Sequence, residues 1–271
     1  MKFKNKSTLL IGLLFLIGVA AFTVFAATAT APTLGNADSY SVFGAAGITN
    51  SGISTHLWGD VGGNGVSTTG LLPSQVGGTL YTVPQSIGID ITAAYGLLDA
   101  QPVTTAKSLS GTVTVTPGVY TVIPAEVLDG TVTLDGAGVY IFRSSAAFTV
   151  SGTMNLINGA TACNVFWQIP TTMIIGSNAH VVGTIITESS HITLGTGATL
   201  EGRALAGAPG QVTLLSNQIT KPICTTPVIH RSSGSIPTVV TTPVVTTPVV
   251  IVTTPVVIPS LPKAGFPPRG E

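Results

Sequence analysis

Charge is what this sequence has least of. Only 7% of its 271 residues are Asp, Glu, Lys or Arg, against about 25% in an average soluble domain. Ten basic and ten acidic side chains cancel to a formal net charge of zero. A nucleic-acid binder needs a basic stripe to displace counterions from phosphates, so no nucleic-acid partner is expected. Histidines are equally sparse: His56, His180, His191 and His230 are scattered without metal-ligand spacing, and no metal or cofactor is expected. Carboxylates are too isolated to form an acid–base pair, so the chain is not expected to be an enzyme; Asp38, Asp60 and Asp90 suit turns and caps. At 44% hydrophobic residues the chain also lacks the composition of a disordered one, which joins low hydrophobicity to high charge. What stands in for charge is threonine, 41 of it, beside 32 Gly and 18 Pro. With aromatics at 6% and Val, Ile and Thr abundant, an all-β fold is expected.

Long apolar runs are missing too, except at the start. Lys2, Lys4 and Lys6 precede an apolar stretch from Leu9 to about Phe25, then Ala26-Ala27-Thr28-Ala29-Thr30-Ala31. A positive end, an apolar middle and Ala-x-Ala sites describe a secretory signal peptide over 1–31; an uncleaved anchor is the alternative, because the run is long enough to span a bilayer. A secreted chain gives its two cysteines a meaning. Cys163 and Cys224 are a candidate disulfide in an oxidising compartment, with two buried thiols as the alternative. From 225 to 271 the material changes: TTPVV recurs at 241–245, 246–250 and 253–257, and proline at that density forbids a central strand or helix. An extended, polyproline-like stalk is expected. Its Leu261-Pro262-Lys263-Ala264-Gly265 resembles the LPxTG signal cut by sortases, with Ala264 replacing Thr and no hydrophobic stretch behind it. The resemblance implies attachment to a cell surface.

Residues 32–224 form one domain with an internal period. Val113-Thr114-Val115, Val132-Thr133-Leu134, Met154-Asn155-Leu156, Met173-Ile174-Ile175, Ile192-Thr193-Leu194 and Val212-Thr213-Leu214 follow one another at spacings of 19, 22, 19, 19 and 20. A period near twenty, with short alternating segments and Gly at corners, predicts a β-solenoid whose stacked coils share one core. Asp90 to Gln101 breaks the pattern. Apolar Ile91, Ala94, Tyr95 and Leu98 give one helical stripe, with Asp90 placed as N-cap, so a single helix is expected alongside the coils.

In each apolar-Thr-apolar segment the outer two residues point inward and the middle one outward. The outward column is therefore Thr114, Thr133, Asn155, Ile174, Thr193 and Thr213. Two residues earlier runs Thr112, Thr131, Thr153, Thr172, His191 and Gln211, and Gly47-Ile48-Thr49 extends the register. Eight of these twelve positions are Thr. The two ranks are expected on one face, at about 4.7–4.9 Å along the stack and about 6.6 Å across it. Stiff χ1 angles hold methyls and hydroxyls in place, and such an array suits a periodic partner. Ordered water is the candidate: methyls order it and hydroxyls anchor it. Plain exterior strand chemistry explains the same threonines without any ligand.

Leu34-Gly35-Asn36-Ala37-Asp38-Ser39-Tyr40, Trp58-Gly59-Asp60-Val61-Gly62, Thr116-Pro117-Gly118-Val119-Tyr120, Ala162-Cys163-Asn164-Val165-Phe166-Trp167-Gln168 and Gly202-Arg203-Ala204-Leu205-Ala206 carry a resemblance over about 34–220. The chain is similar to secreted microbial ice-binding proteins. That resemblance implies a right-handed, discontinuous β-solenoid of triangular section with one long helix beside it, and a monomer that binds ice through a flat face. The family's ice face is associated with a T-A/G-x-T/N pattern. Ala46-Gly47-Ile48-Thr49 fits it in part and Gly210-Gln211-Val212-Thr213 less well, while Thr196-Gly197-Ala198-Thr199 satisfies it on a different strand. The expected site is thus Thr49, Thr112, Thr114, Thr131, Thr133, Thr153, Asn155, Thr172, Thr193 and Thr213, with Ser177, Thr196 and Thr199 as an alternative face. A surface adhesin or structural solenoid without ice activity is the competing function.

Overall fold

Apolar-polar alternation over three to five residues builds most of the strands, and the strand pairs are parallel throughout. The computed structural model describes residues 28–224 apart from 65–67, 84 and 124–125. The expected signal peptide (to residue 27) and the 225–271 tail with Leu261 to Gly265 lie outside the described residues. Among those described, no helix is long and apolar enough to cross a membrane.

Three parallel ladders enclose one core. The first runs through Thr105–Lys107, Gly118–Val122, Tyr140–Arg143, Val165–Ile169, the later halves of His180–Thr187 and Thr199–Ala206, then Tyr40–Gly44 and Asp60–Gly62. The second stacks Val127–Leu128, Phe148–Val150, Met173–Ile175, Ile192–Leu194, Gln211–Leu214, Gly47–Asn50 and Thr68–Thr69. The third joins Thr112–Val115, Thr131–Asp135 and Thr153–Ile157 to the early halves of His180–Thr187 and Thr199–Ala206, then Gln218–Thr220 and His56–Trp58. Two eight-residue strands turn from the third ladder into the first at Gly183 and Gly202, which face each other in register. Gly183 has φ +108°, and a Cβ on Gly202 would sit 1.8 Å from the Gly183 carbonyl. Only glycine fits that corner.

The stacking order is not the chain order. Residues 40–80 build one end of the stack, and the helix Gly88–Asp99 then leads the chain to the opposite end, where coils grow back from Thr105. The last coil closes against the first: Ala204 pairs with Val42, Val212 with Ile48, and Ile219 with Leu57. The stack is therefore discontinuous, and its final seam joins residues about 160 apart in sequence.

Inward positions are apolar. Trp167, Phe142 and Phe148 stack within the core, with the Trp167 and Phe142 ring centres 4.5 Å apart, and the Trp167 Nε1–H donates to the Val182 carbonyl at 2.9 Å. Over the first ladder, Ile91, Ala94 and Leu98 of the helix pack on Phe43, Val119, Ile141, Phe166, Ile186 and Leu205. The helical stripe read from sequence is the buried one. The cap differs from the one expected at Asp90: the helix begins at Gly88, with Ile87 as N-cap. The Asp90 carboxylate instead accepts from the Asn36 backbone N–H at 3.0 Å and from Asn36 Nδ2 at 3.1 Å. That bond ties the first turn of the helix to the 3₁₀ turn Gly35–Ser39. At the other end Asp99 takes hydrogen bonds from Arg143 and Gln168 of the first ladder, so both helix ends are fixed, one to the 3₁₀ turn and one to the ladder.

Candidate functional site

Each ladder has an outer face; the first and part of the third are covered, while Thr112, Thr114, Thr153 and Asn155 of the third stay exposed. The helix lies on the first. On the third, the chain leaves the ladder after Ile157 through Asn158 and Gly159, both at positive φ. It then makes the short 3₁₀ helix Ala162–Asn164. Ala162 and Val182 are buried there, and Cys163 is bridged to Cys224, which anchors the excursion to the strap that follows Thr220. The second ladder has no such cover among the described residues.

Its outward central row is continuous. Thr69, Thr49, Thr213, Thr193, Ile174, Thr149 and Val127 are successive register partners on seven strands. Every one is β-branched: five Thr, one Ile and one Val. At about 4.8 Å per strand the row extends about 29 Å. Its two apolar members stay about two-fifths exposed, Ile174 at 39% and Val127 at 38%. Two residues earlier on the same strands come Gly47, Gln211, His191, Thr172 and Ala147, and neither row contains Asp, Glu, Lys or Arg. Local bonds hold this second row. The Gln211 backbone N–H donates to His191 Nδ1 at 3.1 Å, and Thr172 Oγ1 lies 3.0 Å from Ser190 Oγ.

The side chains beneath explain why the row is rigid. Ile48, Val212, Ile192, Met173 and Phe148 point inward with at most 1% exposure. At the corner beyond them buried amides fix the turns: Asn50 Nδ2 donates to the carbonyls of Gly52 and Gly70, both at 2.9 Å. Asn217 Nδ2 does the same for Gly195 and Ala198, at 2.7 and 3.1 Å. A buried amide with all its bonds made resists movement of the turn it holds.

The structure divides the single face expected from sequence. Thr49, Thr193 and Thr213 stand in the central row of the second ladder and Thr172 in its second row. Thr112, Thr114, Thr131, Thr133, Thr153 and Asn155 belong to the third ladder, where Thr131 pairs with Thr112 and Thr153, and Thr133 with Thr114 and Asn155. The excursion over 158–164 is the physical reason. It lengthens that coil, so the strand partner of Thr153 is His180, not Thr172. A segment 19 residues after Met154 therefore falls one side short of a full turn. The alternative face also comes apart. Ser177 and Thr196 occupy turns, whereas Thr199 is a third-ladder residue whose hydroxyl lies 2.8 Å from His180 Nδ1. Sequence reasoning missed Thr69, Thr149 and Val127. Phe148-Thr149-Val150 has the same apolar-Thr-apolar form as the six segments spaced near twenty residues, and its alternation is the signal that marks it. Among the described residues no cluster of His, Cys, Asp or Glu is arranged to hold a metal ion.

The chain as a whole is similar to known proteins. A family model described as ice-binding-like matches residues 42–220. An ice-binding protein of Nostoc sp. (strain HG1) is 31% identical over 228 residues, covering 79% of this chain and 83% of that one. The crystal structure of an ice-binding protein from the Antarctic ascomycete Antarctomyces psychrotrophicus is 32% identical, with a TM-score of 0.64 over 72% of this chain and 100% of that one. An ice-binding protein from an Antarctic biological consortium is 31% identical, with a TM-score of 0.63 over 71% and 92% of the two chains.

Proposed function

The chain belongs to the ice-binding-like family, and from that premise we propose that it binds ice through the second ladder. The observation that carries the assignment to this face is the unbroken row from Thr69 to Val127, seven β-branched side chains in register with no charged residue in it or in the row beside it. The two partial matches to the family's T-A/G-x-T/N pattern, Ala46 to Thr49 and Gly210 to Thr213, are neighbours in this ladder, which supports the same choice. Each Thr presents a methyl that orders adjacent water and a hydroxyl that hydrogen-bonds it. Because χ1 is restricted and the backbone is pinned from below, that water is ordered without a large loss of side-chain entropy. A strongly hydrated charge would compete for it, which accounts for a face without charge. Antifreeze activity and inhibition of ice recrystallisation follow from adsorption of the face to growing ice. The third-ladder threonines, Thr112, Thr114, Thr131, Thr133 and Thr153 with Asn155, are not assigned to the ice face.

We read the three ladders as the sides of a right-handed solenoid of triangular section. The protein acts as a secreted, non-enzymatic monomer. Its N-terminal charge pattern and the Cys163–Cys224 bridge support export, and the 225–271 segment with Leu261 to Gly265 is read as a means of surface attachment. Ice affinity is the decisive measurement. Fluorescently labelled protein is expected to coat a growing ice hemisphere, with recrystallisation slowed in parallel; uniform exclusion from the ice would remove this function and promote the adhesin.

A further inference from the structure

Trp58 is in an unexpected place. Trp167 is fully buried in the core, yet Trp58 keeps 45% of its surface exposed on the third ladder. Its ring lies near-parallel to that of His56, 24° apart with centres 5.8 Å apart. On one flank its register neighbour is Gly77, where an added Cβ would come within 3.3 Å of the indole Cδ1, so that neighbour contributes no side chain beside the ring. On the other flank Trp58 pairs with Thr220, which pairs with Glu201, and His56 pairs with Gln218, which pairs with Thr199. Over the far two of these strands, next to Trp58 but not lined by it, opens a groove of about 810 Å³ with Glu201, Gln218 and Lys221 in its lining and Cys163, Pro222 and Ile223 as its wall.

We propose that this surface is a saccharide-binding site, with Trp58 as the stacking platform for an extended neutral polysaccharide. An indole offers a flat apolar face with a polar edge, and the apolar face of a pyranose matches it. Glu201 and Gln218 supply planar oxygens and an amide that take paired sugar hydroxyls, and Thr220 and Thr199 add hydroxyls in the same rows. Glu201 stands two strands from Trp58, about 9–10 Å away, so adjacent sugar rings of one chain meet both. Charge selects the class of polymer: Glu201 and Lys221 offset each other in the groove, leaving no field for an acidic or basic chain. Glycoside hydrolysis needs two carboxyl groups facing one bond, and among the described residues Glu201 is the one carboxylate lining the groove, so binding is the role proposed. The site is independent of the ice-binding face, being on a different ladder.

The chain has two tryptophans, and Trp167 is fully buried, so any ligand-dependent change in emission reports Trp58. Titration of the full chain with cellohexaose or chitohexaose is expected to shift the emission to the blue, saturably, and to protect it from acrylamide. Migration through a native gel containing hydroxyethylcellulose should be retarded. Trp58→Ala and Glu201→Gln should each weaken retention at least tenfold while leaving circular dichroism and ice adsorption unchanged, and Thr193→Tyr should leave retention intact. No saturable response to either oligosaccharide together with free migration overturns the proposal, as does undiminished retention by folded Trp58→Ala.

Discussion

Thr193 and Thr213 are register partners on adjacent parallel strands, 20 residues apart in sequence and one strand apart in space. Their outward side chains repeat each other, and the same relation continues to Thr49 and Thr69 on one side and to Ile174, Thr149 and Val127 on the other. A bulky group anywhere near the middle of this row would hold a flat lattice away from its neighbours. Thr193→Tyr and Thr213→Tyr are therefore expected to remove most thermal hysteresis and recrystallisation inhibition. Both sites are outward and partly exposed, so folding stability should move by no more than about 0.5 kcal/mol. Thr133→Tyr, on the third ladder, serves as the matched control and should leave activity at the wild-type level. Loss of activity in Thr133→Tyr with retention in Thr193→Tyr would transfer the site to the other ladder.

Ile174 interrupts five threonines with a side chain that has the right branching but no hydroxyl. Its register partners are Thr149 and Thr193, so Ile174→Thr supplies the missing anchor without altering backbone preference. Thermal hysteresis should rise. The 39% exposure of Ile174 means little apolar burial is lost, and the melting temperature should hold. A fall in hysteresis would mean that the methyl surface of Ile174 contributes more than a hydroxyl at that position.

Much of this arrangement was legible in the sequence. Alternation around Thr193 and Thr213 gave the outward column, the period near twenty gave the stacked coils, and Ile91, Ala94 and Leu98 marked the helix's buried stripe. What periodicity could not carry was ladder identity. Apolar-Thr-apolar segments look alike on the second and third ladders, because the same inward–outward rule shapes both. The excursion over 158–164 lengthens one coil, so counting from Met154 lands on the wrong side at Met173. Trp58 was illegible for a related reason: an aromatic after an alternating segment faces in or out according to strand register, which only Thr220 and Gln218 across the ladder reveal.

The Cys163–Cys224 bridge closes a separation of 61 residues. In the chain-entropy description a loop of that size stabilises the fold by about 4 kcal/mol. Replacing both cysteines with serine should lower the denaturant midpoint accordingly. Ice adsorption measured near freezing should survive, because the bridge secures the cover of the third ladder and touches no residue of the second. Simultaneous loss of both properties would show that the two ladders are not mechanically separable.

Arg203 is 2% exposed, and its guanidinium is spent on the 3₁₀ turn: Nη2 pairs with the Asp38 carboxylate and Nε donates to the Asp38 carbonyl at 3.1 Å. Nη1 donates to Thr184 Oγ1 at 3.3 Å. Burial pulls the Arg203 pKa below its ordinary value, and Asp38 opposes that shift. Asp38→Ala leaves the carbonyl and hydroxyl partners but strips the buried cation of its counter-charge. Because the Asp38 side chain is 60% exposed, water replaces part of the loss, and a cost of about 1–3 kcal/mol is expected. Denaturant unfolding should show a lower midpoint at unchanged slope; a changed slope would mean that the turn had detached and altered the native surface.

Alkaline pH tests the buried phenols. Burial pushes Tyr40, Tyr95 and Tyr140 up to about 12, with Tyr81 and Asp60 adding to the effect at Tyr40 and Asp135 and Tyr120 at Tyr140. The folded state thus holds these protons longer than the unfolded chain, whose phenols titrate near 10. The sign follows from linkage: the contribution is fully present below about pH 10 and is lost as pH rises toward 12. Tyr140 gives it a structural handle, since its hydroxyl donates to the Gly136 carbonyl at 2.7 Å, and a phenolate cannot donate. Melting temperature should fall steadily across that window, with phenolate absorbance lagging behind that of the unfolded protein. Tyr140→Phe should flatten part of the fall while lowering stability at neutral pH, because it removes the titrating group and the hydrogen bond together. An unchanged alkaline slope in that variant would move the effect to Tyr40 and Tyr95.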